Sequence, residues 1–155
     1  MHSIMIDVFI SYTSADERIA RFVHDHMAAE GVSVFLASVS LKPGDKWTPE
    51  VFKNLNSAKW VVFLASRAAC SSPYVLQELG AAMASQKKLV PVIWDIAPTE
   101  LPGWVSQYQV LNLSGKTFDH LRDEVVEISR RIKQDKTSGL LAFGLLVAGI
   151  AAFAK

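Results

Sequence analysis

At 155 residues and 17.1 kDa, half hydrophobic and one fifth charged, the chain has the size and make-up of one globular domain and is neither disordered nor collagen-like. Its 16 Lys+Arg against 15 Asp+Glu leave a formal charge of +1, without the basic footprint that nucleic-acid phosphates require, so nucleic-acid binding is set aside. The single cysteine, Cys70, excludes an internal disulfide and suits a reducing compartment; its neighbours Ala69 and Ser71 offer no base, so it reads as a loop thiol.

Residues 1–5 have no basic n-region, and Asp7 interrupts the apolar run behind them, so no signal peptide is expected. Residues 5–11 read as a buried strand. Ser14 and Glu17 match a capping box, followed by Ile19, Phe22, Val23 and Met27 at helical spacing and by Gly31 where a left-handed C-terminal residue belongs. Residues 32–36 form the second expected strand, and 37–47 a loop with the turn signal Pro43-Gly44-Asp45. Thr48-Pro49 opens a helix, residues 60–65 are strand three, and Ser72-Pro73 opens a helix running to about residue 86. Residues 89–94 are strand four, 98–108 a loop with one helical turn, and 109–113 a short strand five. Phe118, Leu121, Val125, Ile128 and Ile132 mark an amphipathic helix.

Short, almost wholly apolar strands alternating with helices predict a parallel sheet covered on both faces. Five strands in this length predict an α/β, flavodoxin-like sheet in the order 2-1-3-4-5, with ligands expected at the carboxyl ends of the strands beside the topological switch. The loops at 11–14, 37–47 and 66–72 would border such a site.

From Gly139 to Ala154 there is no polar side chain. As a helix this run rises about 24 Å, a little short of a ~30 Å hydrocarbon core, with Lys136 and Lys155 placed to snorkel. The alternative is a buried core helix, but the run is apolar all round. Arg130, Arg131, Lys133 and Lys136 precede it, and this bias leaves the rest of the chain in the cytosol. The expected organisation is therefore a domain over residues 1–135 and a single-pass transmembrane helix over 136–155. Gly144, Ala148 and Ala152 form a small-residue stripe that would let two such helices approach.

No glycine pattern fits a dinucleotide or P-loop phosphate cradle, and Ser66 is not in a nucleophile elbow. His24 and His26 are two apart on a helix and cannot share a metal, so no metal site is expected. A receiver domain would need an aspartate where Ala65-Ser66 stands. The hydroxyl-rich Ser11–Ser14 loop leaves a flavin-binding flavodoxin relative as a distant option. Glu78 falls about 105°, and Tyr74 about 145°, from the centre of the apolar stripe of their helix. A carboxylate and an aromatic ring one turn apart would then face the ligand edge of the sheet; the alternative is a solvated surface glutamate.

Four ordered blocks carry a resemblance. Asp7-Val8-Phe9-Ile10-Ser11-Tyr12, then Val34-Phe35-Leu36 with Leu41-Lys42-Pro43-Gly44-Asp45-Lys46-Trp47, then Ser66 with Ser72-Pro73-Tyr74-Val75-Leu76-Gln77-Glu78-Leu79, and finally Leu89-Val90-Pro91-Val92, together resemble Toll/interleukin-1 receptor (TIR) domains from residue 5 to about 132. With its C-terminal tail the chain looks like a bacterial, membrane-bound type. The resemblance implies either an NAD-cleaving enzyme or a signalling adaptor. In the enzymes the glutamate of the Glu-Leu pair is catalytic, which maps onto Glu78, with the aromatic four residues earlier mapping onto Tyr74. Tyr12, Thr13, Ser38, Pro43, Gly44 and Trp47 would border the substrate; Thr13 stands where some relatives have a basic residue, and Ala37-Ser38 where an acidic one is common.

The implied reaction is cleavage of the nicotinamide–ribose bond of NAD, with NAD as substrate and no cofactor, giving ADP-ribose or a cyclic ADP-ribose. It further implies activation by self-association through TIR–TIR contacts, with bacterial antiviral defence signalling as a setting. The competing expectation is a non-catalytic TIR scaffold.

Overall fold

The alternation of strands and helices folds into an all-parallel, five-stranded sheet in the order β2-β1-β3-β4-β5. The computed structural model describes residues 5–38 and 48–153, with the side chains at 74, 78, 82, 85 and 138–153 outside the described residues. The strands are β1 (Val8–Tyr12), β2 (Val34–Ser38), β3 (Trp60–Leu64), β4 (Lys88–Ile93) and β5 (Leu111–Asn112). The helices are α1 (Glu17–Ala29), α2 (Pro49–Ser57), α3 (Arg67–Cys70), α4 (Pro73–Ala82) and α5 (Phe118–Phe153).

Strand alternation divides the core into two layers. Phe9, Val61 and Phe63 point to one face and pack with Leu55 of α2, Ala69 of α3, and Val75 and Leu79 of α4. Val8, Ile10, Val62 and Leu64 point to the other and pack with Ala20, Val23 and Met27 of α1 and with Leu121, Val125 and Ile132 of α5. Because both faces are covered, the central strands have no polar alternation, which is why they read as continuous apolar runs. Strand five is shorter than expected: only Leu111 and Asn112 pair, with Val92 and Ile93, in a strand that has a neighbour on one side alone.

Several expected boundaries are met by local chemistry. Gly31 has φ +85°, the left-handed conformation that closes α1. Thr48 Oγ1 accepts from the Val51 amide at 3.3 Å, and Ser72 Oγ from the Val75 amide at 3.4 Å, each with Pro in the next position. The capping box at Ser14 and Glu17 does not form. The chain instead passes through a 3₁₀ turn (Ser14–Asp16), and α1 begins at Glu17 after Asp16, whose side chain makes no cap bond. Helix α4 stops at Ala82, short of the expected 86; a 3₁₀ turn over Met83–Ser85 and a φ of +59° at Gln86 redirect the chain into β4.

Helix α5 runs from Phe118 to Phe153 without a break, passing through the expected boundary at 136. Among the described residues no helix is long and apolar enough to cross a membrane. The side chains of 139–154, on which the expected transmembrane reading rests, lie outside the described residues.

Gly80, within α4, has room for a side chain: an added Cβ would sit 3.5 Å from Trp104, an ordinary contact. Gly80→Ala is expected to stabilise the domain by about 0.5–1 kcal/mol through the lower entropy of the unfolded chain. A urea midpoint raised at constant slope would show it.

Candidate functional site

The strand order reverses between β1 and β3, where the chain leaves β1 for α1 on one face and leaves β3 for α3 and α4 on the other. In such sheets this divergence opens a crevice at the carboxyl rim.

A carboxylate bridges the two diverging loops. Asp16 Oδ2 accepts from Thr13 Oγ1 at 2.9 Å and from Ser66 Oγ at 2.5 Å, and Ser66 Oγ in turn accepts from the Ala69 amide at 3.2 Å as the cap of α3. Thr13 and Ser66 are each 1% exposed, so these bonds satisfy hydroxyls that water does not reach. The next loop is tied in by Arg67. Its amide donates to Asp95 Oδ1 at 3.0 Å, and its guanidinium donates to the Asp95 carbonyl at 3.1 Å and to Glu100 Oε1 at 3.4 Å. The Ala97 amide donates to Glu100 and, with Arg67 adding to it, holds that carboxyl below its usual range. The rim from β1 through β3 to β4 is thus stitched under the start of α4.

The expected site residues fall into three groups. Tyr74 and Glu78 lie one turn apart on the first two turns of α4, directly after the stitched segment; their side chains are outside the described residues. Pro43, Gly44 and Trp47 also lie outside the described residues. The others are described. Ser38 is exposed at the end of β2, paired in register with Tyr12. Tyr12 and Thr13 turn inward: Tyr12 is 6% exposed in the α1/α5 layer, on the opposite face from α4, and the Thr13 hydroxyl is spent on Asp16. These two support the rim from beneath instead of lining a crevice with α4.

Three contributors were missing from the sequence reading: Asp16, Ser66 as its partner, and Arg67. The available signal was position, since Asp16 and Ser66 lie in the two loops that flank the switch. Ser11, at the carboxyl end of β1 on the α4 face, is fully buried, and its hydroxyl has no partner among the described residues.

Cys70 ends α3, half-buried, and burial with the nearby Asp95 pushes its thiol up to about 11. The segment expected as a loop over 66–72 thus contains a short helix that carries Cys70, and the raised thiol agrees only with the reading of Cys70 as unreactive. At pH 8 the native protein is expected to react with iodoacetamide at least about tenfold more slowly than free cysteine, its higher thiolate nucleophilicity offsetting only part of the lost thiolate. Among the described residues no group of three or more His, Cys, Asp or Glu could hold a metal; His26 Nδ1 is 2.9 Å from the Phe22 carbonyl, and His24 Nδ1 is 2.9 Å from Asp25.

A flavodoxin-like sheet whose switch loops precede a helix bearing a Glu-Leu pair defines the class. The chain belongs to the TIR domain family, whose model (TIR_2) matches residues 8–126. It is 31% identical over 97 residues to a Brachypodium distachyon protein named "Probable 2′ cyclic ADP-D-ribose synthase BdTIR"; the match covers 61% of this chain but less than half, 43%, of that relative. Among solved structures it resembles a metazoan TIR-STING receptor from C. gigas in complex with 2′,3′-cGAMP, with a TM-score of 0.63 at 23% identity over 83% of this chain and 40% of that one. It also resembles the RPS4 and RRS1 TIR domain heterodimer, with a TM-score of 0.61 at 12% identity over 81% and 96% of the two chains. At such identities the structural likenesses speak to the fold.

Proposed function

We propose that this chain is a TIR-type NAD glycohydrolase with Glu78 as its catalytic carboxylate. One observation carries the reading: a glutamate stands on the second turn of α4, the second helix after the switch-point strand β3, in a TIR chain similar to a plant protein named as a probable cyclic ADP-ribose synthase. Nicotinamide is a cationic leaving group that departs neutral, so it needs no general acid. The ribosyl fragment passes through an oxocarbenium-like state, as in glycoside hydrolysis. A carboxylate bonded to ribose hydroxyls stabilises that charge mainly in the transition state. Water as acceptor gives ADP-ribose, and an internal hydroxyl gives a cyclic product.

Tyr74, Trp47, Ser38 and the Pro43-Gly44 turn would shape the nucleotide site, with the loop of one copy completing the pocket of the next. The apolar run at 139–154 would anchor the chain in a membrane with the TIR domain in the cytoplasm, as the basic residues before it favour. Confinement to that plane raises the effective concentration for self-association, and bacterial defence signalling is the setting this suits. The second reading is a non-catalytic TIR scaffold, favoured by the inward placement of Tyr12 and Thr13. Nicotinamide release by the full chain clustered in vesicles separates the two: an enzyme turns NAD over, and a scaffold leaves it intact.

A further inference from the structure

The opposite rim of the sheet has features of its own. Helix α5 reaches the amino ends of β1 and β3 with Ile132 buried, and it is clamped there by two ion pairs. Lys136 Nζ lies 3.3 Å from Asp7 Oδ1, and Asp135 pairs with Lys88, whose ammonium stands 5.0 Å over the Trp60 ring. Between α5 and the sheet lies a cavity of about 380 Å³ lined by Met5, Ile6, Trp60 and Ile132, where Lys59 and Lys136 are offset by Asp7 and Asp135, with Met5 66% exposed. Among the described residues this rim and the end of α5 expose Lys59, Lys88, Arg130, Arg131, Lys133 and Lys136. Against these six cations stand Asp7, Glu30 and Asp135. At the carboxyl rim the diverging loops instead gather Asp16, Asp95 and Glu100 near Arg67.

We infer that the amino rim is the seat of the domain on an anionic bilayer, with its exposed lysines and arginines against phospholipid headgroups, so that the carboxyl rim, from which α4 starts, points away from the membrane. This rests on the reading of 139–154 as a membrane anchor. Lys136 is three residues from Gly139, about 4.5 Å of helix, and the helix is continuous across that point. The clamped helix therefore fixes which rim meets the lipid. Basic side chains next to a membrane segment are attracted by anionic headgroups, and the exposed Met5 beside the lysines offers apolar surface at the same level. A five-residue strand holds the far rim roughly 17 Å higher, which leaves its crevice open to soluble dinucleotide and to neighbours in the plane.

The test uses the full chain carrying Cys70→Ser, in phosphatidylcholine–phosphatidylserine vesicles at a roughly 7:3 ratio, with a fluorophore on Lys59→Cys or Ser71→Cys and headgroup spin-labelled lipid as quencher. Quenching at position 59 is expected to exceed that at 71 at least about threefold, given the difference in height, and Arg130→Glu with Lys133→Glu should bring the ratio toward one. A second pair, Glu30→Cys against Ser114→Cys, should repeat the contrast and guards against one misfolded variant. Protein that resists alkaline carbonate extraction yet quenches equally at both rims overturns the orientation and leaves the anchor standing. Protein that carbonate extracts overturns the anchor, and the orientation with it.

Discussion

Glu78→Gln is expected to lower NAD turnover by about 10²–10³-fold, the range seen when one electrostatic stabiliser of a developing charge is removed. The amide keeps the size and hydrogen-bonding capacity of the side chain but not its negative charge, so the loss should fall on kcat rather than KM. Its unfolding free energy should stay within about 0.5 kcal/mol of wild type if the loss is one of catalysis and not of folding. Nicotinamide release from reconstituted full chain, wild type beside variant, is the measurement. Equal turnover would remove Glu78 from the mechanism, and no turnover in either would favour the scaffold.

Asp16→Ala should produce the largest loss of stability among the polar substitutions. It strips the acceptor from two buried hydroxyls, those of Thr13 and Ser66. An unsatisfied buried donor costs about 1–3 kcal/mol, and some rotation toward other acceptors brings the expected total to about 2–4 kcal/mol. For a domain of this size that is a fall of roughly 5–15 °C in Tm. Asp16→Asn keeps one acceptor oxygen and should recover part of it. Turnover should fall with Asp16→Ala as well, since the bridge anchors the start of the segment leading into α4. A thermal midpoint unchanged by the alanine would show that the bridge does no structural work.

Much of the fold was legible because it is written in local chemistry. The mostly apolar runs at β1 and β3, Thr48-Pro49 and Ser72-Pro73 as helix openings, and the left-handed Gly31 each depend on neighbours a few residues away. Reading failed where a distant group competes for a local signal. Ser14 and Glu17 have the spacing of a capping box, yet α1 starts after Asp16, whose carboxylate accepts from a serine fifty positions later. Tyr12 and Thr13 carry the right side chains for a polar loop, and nothing local says that both turn inward.

The sequence by itself determined the class of sheet, its strand order and the helix that bears Glu78, because apolar periodicity and cap chemistry are short-range. Only the tertiary structure decided which carboxylate joins the switch loops, which hydroxyls are spent in doing so, and that α5 is clamped at the amino rim, opposite the candidate site. Those outcomes depend on contacts between residues 47 to 129 positions apart. Such contacts exist only once two hydrophobic layers have closed on the sheet and excluded the water that would otherwise satisfy the same groups.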